Sequence, residues 1–403
     1  MSRRNRKSRE NKASKADKPN RIMTKLAVAV LIISAAVYAY MELDVGAWFD
    51  RDPEAVFFVP TDVVIRYENM RDVFFFATEN GDFFYCTNNF VRFITPAGQI
   101  RWEASIDVIN PFVVGNGSYI AIGEVNGRVL YVLGRSGLAY TRHFETQNIL
   151  NFSVNRQGFA SVVLQSGSSH EAVVFDNRGT EIWRWMYHLP GIYPITTAIS
   201  HDNRILANST LEVTEHLTSQ VFYAFLNRNE AAAHTDTIFK STIREGQIIP
   251  EVHFLDDRSV VILSDSDISG ATFTGSTDVR NEWRKTLGNR IDAFAVYDRG
   301  IAVAFGDGII NQEQERPGTV NFYNASGEIT GTFYAYGRVT YMSSQGNTVV
   351  IGIGRIYYGV TDRGRILWRF DATTDLRDVF ILNNNDTILA VSQTEATVLR
   401  RGR

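Results

Sequence analysis

The sequence predicts an all-β protein, an eight-bladed β-propeller preceded by one transmembrane helix. Three observations lead to this fold: an apolar run near the N-terminus, a strand–turn–strand hairpin that occurs seven times, and single strands left over at both ends of the repeats. The hairpin turns are 37 to 50 residues apart. Repeats of this length, made only of short strands, are typical of propellers. A seven-bladed ring with a separate C-terminal extension is the second choice.

Residues 1–21 are predicted to be a basic, disordered cytoplasmic tail, and residues 22–42 a transmembrane signal anchor. Residues 1–41 carry a net charge of +8 against −3 for the whole chain, which leaves −11 for residues 42–403. The uncharged run LAVAVLIISAAVYAYM approaches the roughly 20 residues that cross a bilayer as a helix. Cleaved signal peptides have a shorter basic region and an Ala-x-Ala site. Since basic flanks stay cytoplasmic, we expect a single-pass plasma-membrane protein with an extracytoplasmic propeller.

A linker at 43–59 precedes the predicted propeller at 60–403. In the clearest hairpins a turn glycine is followed four residues later by tryptophan, in the pairs Gly98/Trp102, Gly179/Trp183 and Gly364/Trp368. Weaker copies have their turns at Gly137, Asn229, Val279 and Gly327. Glycine permits the positive φ of a tight turn. We expect the tryptophan, on the outermost strand, to cover the seam to a neighbouring blade; the alternative is a ligand-stacking role.

The two chain ends are predicted to share one blade. After the last hairpin, residues 378–383, 387–391 and 395–400 form three strand patterns. Before the first hairpin, residues 61–66 form one more. Three strands plus one complete an eighth blade, which closes the ring and removes two open sheet edges.

The turn pattern Asp-x-x-Gly-x-x-x-Trp, at Asp176, Gly179 and Trp183, carries a family resemblance. It resembles the repeat of quinoprotein-type (PQQ-like) eight-bladed propellers, a group that includes the PQQ alcohol dehydrogenases. The stretch INPFVVGNGSYIAIGEVNGRVLYVLGRSG is more similar to a family of uncharacterised bacterial proteins, mostly of Gram-positive anaerobes, known only as a domain of unknown function. That resemblance implies a basic tail, one membrane anchor and one extracytoplasmic propeller, with no known catalytic residue.

Several kinds of chemistry are excluded or disfavoured. Cys86 is the only cysteine, so neither a cysteine zinc site nor the vicinal disulfide of the quinoprotein dehydrogenases is available. The seven histidines lack metal-ligand spacing, and acidic pairs such as Asp256-Asp257 lie at turns. An acidic body is a poor partner for nucleic acid. We therefore predict no catalytic residue, no metal, no cofactor and no nucleic-acid partner.

Candidate binding residues fall on one channel rim and on three long segments. Prolines at the start of first strands mark the rim, which gives the candidates Asn110, Pro111, Tyr193, Pro194 and Glu251. Units four to six are longer than the others, with the surplus at 209–220, 240–248 and 309–318. Because insertions in propellers form loops on the faces, these segments give the candidates His216, Arg244 and Glu313.

The sequence therefore predicts a non-enzymatic scaffold or recognition module of a cell-envelope complex, binding protein or glycan through propeller loops. The alternative is a carbohydrate-active enzyme with carboxylates at the channel mouth. Two carboxylates and an arginine converging at one mouth would favour the enzyme. A channel lined by Ser, Thr and apolar residues, beside a flat loop face, would favour the scaffold.

Overall fold

A computed structural model describes residues 57–213, 216–226, 238–274, 278–287, 290–306, 318–383 and 385–402. These residues form strands and one short 3₁₀ turn, Met70–Asp72. The predicted basic tail and membrane anchor lie outside the described residues. Within the described ranges, no helix is both long enough and apolar enough to span a bilayer.

The strands of the first half of the chain form the following series. They are β1 (Phe58–Arg66), β2 (Phe74–Ala77), β3 (Phe83–Cys86), β4 (Phe90–Ile94), β5 (Ile100–Ser105), β6 (Phe112–Asn116), β7 (Tyr119–Gly123), β8 (Val129–Gly134), β9 (Gly137–His143), β10 (Asn148–Val154), β11 (Ala160–Ser166), β12 (Ser169–Phe175), β13 (Glu181–Tyr187), β14 (Ile192–Ile199), β15 (Ile205–Val213) and β16 (Leu217–Phe225).

The second half continues in the same way. Its strands are β17 (Ile238–Glu245), β18 (Glu251–Phe254), β19 (Ser259–Leu263), β20 (Asp267–Thr274), β21 (Asp278–Thr286), β22 (Arg290–Tyr297), β23 (Gly300–Gly306), β24 (Gly318–Asn324), β25 (Ile329–Ala335), β26 (Tyr341–Gln345), β27 (Thr348–Ile353), β28 (Ile356–Thr361), β29 (Ile366–Asp371), β30 (Asp378–Asn383), β31 (Thr387–Val391) and β32 (Glu395–Arg401).

The strands pair into eight antiparallel four-stranded sheets, the blades of a propeller. Blades 1 to 7 each take four consecutive strands, from β2–β5 to β26–β29, and blade 8 has the order β1-β32-β31-β30. The predicted eight-bladed fold is confirmed, and the seven-bladed second choice is wrong. The closing strand begins at Phe58, three residues before the predicted start at residue 61, and Phe58 pairs with Arg401.

The recurring hairpin owes its shape to its turn residues. In blade 3 the Asp176 carboxylate accepts hydrogen bonds from the backbone N–H groups of Arg178 and Thr180. Gly179 completes the turn with a φ of 79°, a conformation that side chains with a Cβ rarely adopt. The fourth strand then starts at Glu181, so Trp183 faces the next blade.

Among the described residues, the buried apolar side chains form eight clusters, one at each seam between neighbouring blades. At the seam of blades 3 and 4, Trp183 packs with Leu206 and Phe222. Trp183 and Trp368 are 1% and 0% exposed, so their predicted seam role is confirmed and the ligand-stacking alternative is wrong for both. Cys86 is also fully buried, as an apolar residue of the seam between blades 1 and 2.

The long segments of blade 4 correct one prediction. Residues 209–220 and 240–248 were expected to be face loops, but most of them extend the strands β15, β16 and β17. In β17 the side chains of residues 240–245 alternate between half-buried and exposed positions, and Thr210 of β15 and Ser219 of β16 are buried. This period of two is the pattern of a strand. Of the third segment, at 309–318, only Gly318 lies within the described residues.

The ring has two faces, which we define by their connections. The rim face holds the connections between blades, such as 106–111, 188–191, 246–250 and 336–340, and the connections between second and third strands, such as 124–128. The turn face holds the hairpin turns between first and second and between third and fourth strands, such as 155–159, 176–180 and 200–204. Phe57, where the described chain begins, lies on the turn face and accepts a hydrogen bond from Gly402.

Candidate functional site

The central channel is lined by the innermost strand of every blade. Its cavity has a volume of about 550 Å³, within the range of ligand-binding pockets. The wall combines hydroxyl groups with aromatic rings, contributed by Thr196, Thr197, Ser343, Ser344, Phe76, Phe152, Phe294 and Phe380. The wall thus contains Ser, Thr and apolar residues, which would favour the scaffold, together with ionisable groups such as Arg156, His201, Glu251 and Asp298.

The five predicted rim residues lie where their strands begin, on the rim face. Glu251 lines the channel, and its carboxylate lies 2.9 Å from Nε2 of His253. The Tyr193 ring packs edge-on against His170 at 5.3 Å, and the Asn110 amide donates to Glu124. The structure brings these residues to one side of the ring, and their binding role stays a prediction.

The remaining predicted residues do not lie together. His216 is exposed at the connection between β15 and β16, on the rim face. Arg244 is on β17, on the outer wall, where it lines a cleft between blades 4 and 5. Glu313 lies outside the described residues.

Exposed apolar side chains distinguish the rim face. Its connections carry Ile109, Val125, Leu189, Ile248 and Tyr336. Among the described hairpin turns of the turn face, by contrast, none carries a large exposed apolar side chain. The exposed apolar residues at that end of the ring, such as Phe57, Ile100 and Ile329, lie at or next to the starts of outermost strands.

At the turn face an arginine crosses the channel. Arg156, in the first turn of blade 3, binds Glu79 of blade 1 at 3.0 Å and Asp298 of blade 6 at 2.6 Å. The Gln345 amide of blade 7 also donates to the carbonyl of Thr78 in blade 1, at 2.9 Å. Side chains from four blades therefore join across the mouth.

His201 lies beside this bridge, in the first turn of blade 4. Burial lowers the pKa of its imidazole, and the positive charge of Arg156 lowers it further. The carboxylates of Asp256, Asp257 and Asp298 act in the opposite direction. A neutral imidazole is therefore favoured at this mouth.

The turn-face mouth brings two carboxylates and an arginine together, which is the arrangement that would favour an enzyme. Here, however, the arginine pairs with both carboxylates. Both Glu79 and Asp298 accept from one guanidinium. Glycoside hydrolysis needs one carboxyl group that donates a proton to the leaving group, whereas a carboxylate on arginine is an acceptor. In the described ranges, no group of three or more His, Cys, Asp or Glu residues could hold a metal ion.

Sequence reasoning missed Arg156, Glu79 and Asp298 as a group. Each lies in an ordinary polar turn, and the sequence separations within the group are large, 142 residues for Arg156 and Asp298. Only knowledge of which turns share one face of the ring would have brought them together.

Three of the solved structures that are similar to this chain are the following. The propeller Sqt1 from Chaetomium thermophilum, solved bound to the N-terminus of ribosomal protein L10, is 11% identical with a TM-score of 0.50, covering 84% of this chain and 99% of that one. BamB from Moraxella catarrhalis is 13% identical, with a TM-score of 0.47 and coverage of 85% and 100%. The Pan2 WD40 domain from Neurospora crassa is 8% identical, with a TM-score of 0.46 and coverage of 84% and 94%.

At such identities, structural likeness speaks for the fold alone. No curated protein matches the sequence. The model of a family described as of unknown function, DUF5711, matches residues 63–400, which is most of the chain. The chain therefore belongs to the DUF5711 family.

Proposed function

We propose that the propeller is a non-enzymatic scaffold or recognition module that binds a protein partner through its rim face. The observation that carries this proposal is the exposure of Ile109, Leu189 and Tyr336, at 76%, 67% and 90%, on the connections of that face. Apolar side chains gathered on one side of a protein mark an interaction surface. Sqt1, solved bound to the N-terminus of L10, is a propeller that binds a protein segment.

Photo-crosslinking in cells that make the full chain tests the face. A photoreactive amino acid at position 336 or 189 is expected to give a discrete crosslinked product. Matched positions 257 and 363, exposed on the turn face, are expected to give none. A product that appears only at the turn-face positions would reverse the assignment, and a product that a glycosidase removes would identify a glycan partner.

The proposal includes a location in the cell envelope, outside the plasma membrane. Its support is the net charge of +8 in residues 1–41 and the uncharged apolar run at 26–41. Protease added to intact protoplasts should remove the propeller and leave a small membrane-bound fragment. Protection of residues 60–403 under these conditions would contradict the location.

A carbohydrate-active enzyme is the second candidate, since two carboxylates and an arginine converge at the turn-face mouth. Incubation of the purified protein with cell-wall polysaccharide tests it, with Glu79→Gln and Asp298→Asn as matched variants. Product release that both variants abolish would establish the enzyme. Under the scaffold proposal, we expect no release above the buffer control.

A further inference from the structure

The fourth strand of a blade has one position whose side chain faces the next blade. In blades 1 to 7 the ladder between the third and fourth strands contains a register shift at the same place. The residue that pairs just before this shift is therefore structurally equivalent from blade to blade. These residues are, in chain order, Trp102, Tyr140, Trp183, Lys240, Trp283, Gly331 and Trp368.

Aromatic residues fill this position in five blades. The indole of Trp102 donates to the carbonyl of Arg135 in blade 2, and that of Trp283 donates to Ala325 in blade 6, both at 2.8 Å. Tyr140 lies against the Gly179 turn of blade 3, where an added Cβ would come within 2.8 Å of its ring. An aromatic group with a polar edge thus covers the seam.

The glycine in blade 6 has a simple reason. A Cβ at Gly331 would lie 2.2 Å from the backbone of Arg363 in blade 7. The neighbouring turn occupies the space that the aromatic ring takes elsewhere. Blade 6 therefore needs no side chain at this position.

Blade 4 differs from the other six, because its residue is Lys240. The lysine amine reaches across the seam to the Glu282 carboxylate of blade 5. Beside it, as far as the described residues define it, lies a cleft of about 360 Å³. The cleft is lined by residues that include Tyr223, Arg244, Ile262, Ser269, Trp283 and Arg284.

Two features of the cleft bear on the polar groups of its ligand, the hydroxyl of Ser269 and the charged side chains of the lining. Ser269 is 3% exposed, and its hydroxyl has no hydrogen-bond partner among the described residues. A buried hydroxyl without a partner is unfavourable, and an N–H or O–H donor would satisfy it. Of the charged side chains in the lining, Lys240 is paired with Glu282 and Arg284 with Asp267, whereas Arg244 donates to the carbonyl of Ile243.

We propose that this cleft binds a tryptophan or tyrosine side chain presented by a segment of another protein. The equivalent aromatic residues show what the position accepts: a ring against the next blade, with a polar edge that finds a partner. Such rings dominate the binding energy of protein interfaces. The site is independent of the proposed function, because it lies on the outer wall between two blades and not on the rim face.

The chain itself offers few candidates to fill the cleft. Residues 227–237, which connect β16 and β17, contain no Phe, Tyr or Trp. Trp48 precedes the propeller and is the one tryptophan outside the described residues. The aromatic residues outside the described residues are Tyr38, Tyr40, Trp48 and Phe49, so a Trp48→Ala variant tests the only tryptophan among them as an intramolecular occupant.

Fluorine NMR of the full chain with 5-fluoroindole as the probe tests the cleft. We expect saturable line broadening with the natural protein and at least tenfold weaker binding with Lys240→Trp, which supplies the ring that the other seams contain. The matched control is Ile243→Trp, on the same strand, exposed and outside the cleft lining; it should bind the probe as the natural protein does. Equal binding by the two variants, or no binding by the natural protein and by Trp48→Ala, would overturn the proposal.

A second variant tests the hydroxyl and does not depend on how Lys240→Trp folds. Ser269→Ala should weaken 5-fluoroindole binding by roughly three- to tenfold, as expected for one lost hydrogen bond. Binding of N-methyl-5-fluoroindole, which has no N–H, should not change. Equal effects on the two probes would contradict the assigned contact. Binding that appears only in Trp48→Ala would show that the chain itself occupies the cleft. That result would overturn the proposal that another protein occupies it.

Discussion

The seams between blades and the turn-face mouth of the channel are built from the same strands but by opposite chemistry. The seams are mainly apolar, and each is filled by side chains of two adjacent blades, as at Trp183 and Phe222. The mouth is polar and half exposed, and Arg156 there binds residues of blades that are not its neighbours. The difference indicates that the seams hold the ring together, whereas the mouth is free to carry specific contacts.

The largest expected effect concerns the seam at which the two chain ends meet. A chain that starts at residue 70 lacks β1, which pairs with β32 from Phe58↔Arg401 to Arg66↔Glu395. Each lost backbone hydrogen bond is worth only about 1 kcal/mol net, but the truncation also exposes an unpaired sheet edge. We expect a lower melting temperature and aggregation, measured by calorimetry and light scattering. A chain that starts at residue 52 is the control, and equal melting of the two would contradict closure by β1.

The next effect concerns a seam within the continuous part of the ring. Trp183→Ala removes a fully buried indole between blades 3 and 4 and should lower the free energy of unfolding by about 3–5 kcal/mol, as large aromatic truncations do. Denaturant titration measures it. Trp185→Ala, on the same strand and only partly buried, is the matched control and should have a smaller effect. A loss below about 1 kcal/mol for Trp183→Ala would show that the seam does not depend on this ring.

The seams were predictable from sequence because they repeat. The spacing from Gly179 to Trp183 recurs at Gly364 and Trp368, and both tryptophans are buried where the repeat predicted. The fourth blade, which contains an insertion, was harder to align with the others from its sequence. The fourth hairpin was aligned on Asn229, which lies outside the described residues, so the equivalence of Lys240 to the tryptophans was visible only from strand register.

The contacts across the turn-face mouth could not be predicted from the spacing of residues in the sequence. Arg156 and Asp298 are 142 residues apart, and nothing in either turn distinguishes it from other polar turns. The prolines predicted the position of the rim, because first strands begin there. The exposure of Leu189 and Tyr336 was not predictable in this way, because it depends on which connections face solvent. Contacts across a ring follow from closure, which local patterns do not encode.

A smaller effect is expected from the mouth. Arg156→Gln removes the bridge between Glu79 and Asp298, whose side chains are about half exposed, so solvent already screens the interaction. We expect a change of about 1 kcal/mol or less in the free energy of unfolding, several times smaller than for Trp183→Ala. Denaturant titration of the two variants side by side measures the contrast. A loss as large as that of Trp183→Ala would show that the mouth, too, holds the ring together.

The smallest effect is the dependence of stability on pH at His201. Burial lowers the pKa of this imidazole, and the positive charge of Arg156 lowers it further. As pH falls, the unfolded chain therefore binds the proton before the folded chain does. The contribution of His201 to the free energy of unfolding is therefore fully present above about pH 6.5, the ordinary pKa of histidine. It is lost as pH falls below that value. The charged groups that act on His201 are Arg156, Asp256, Asp257 and Asp298, and the three carboxylates oppose the loss.

His201→Gln should make the decline of melting temperature between about pH 7.5 and 5.5 shallower, because glutamine takes up no proton. Burial also lowers the pKa of His170, at the seam of blades 3 and 4, so His170→Gln should flatten the profile further in the double variant. Arg156→Gln separates the two causes at His201, since it removes the positive charge and leaves the imidazole in place. If Arg156→Gln flattens the profile and His201→Gln does not, the imidazole of His201 is not the source of the pH dependence.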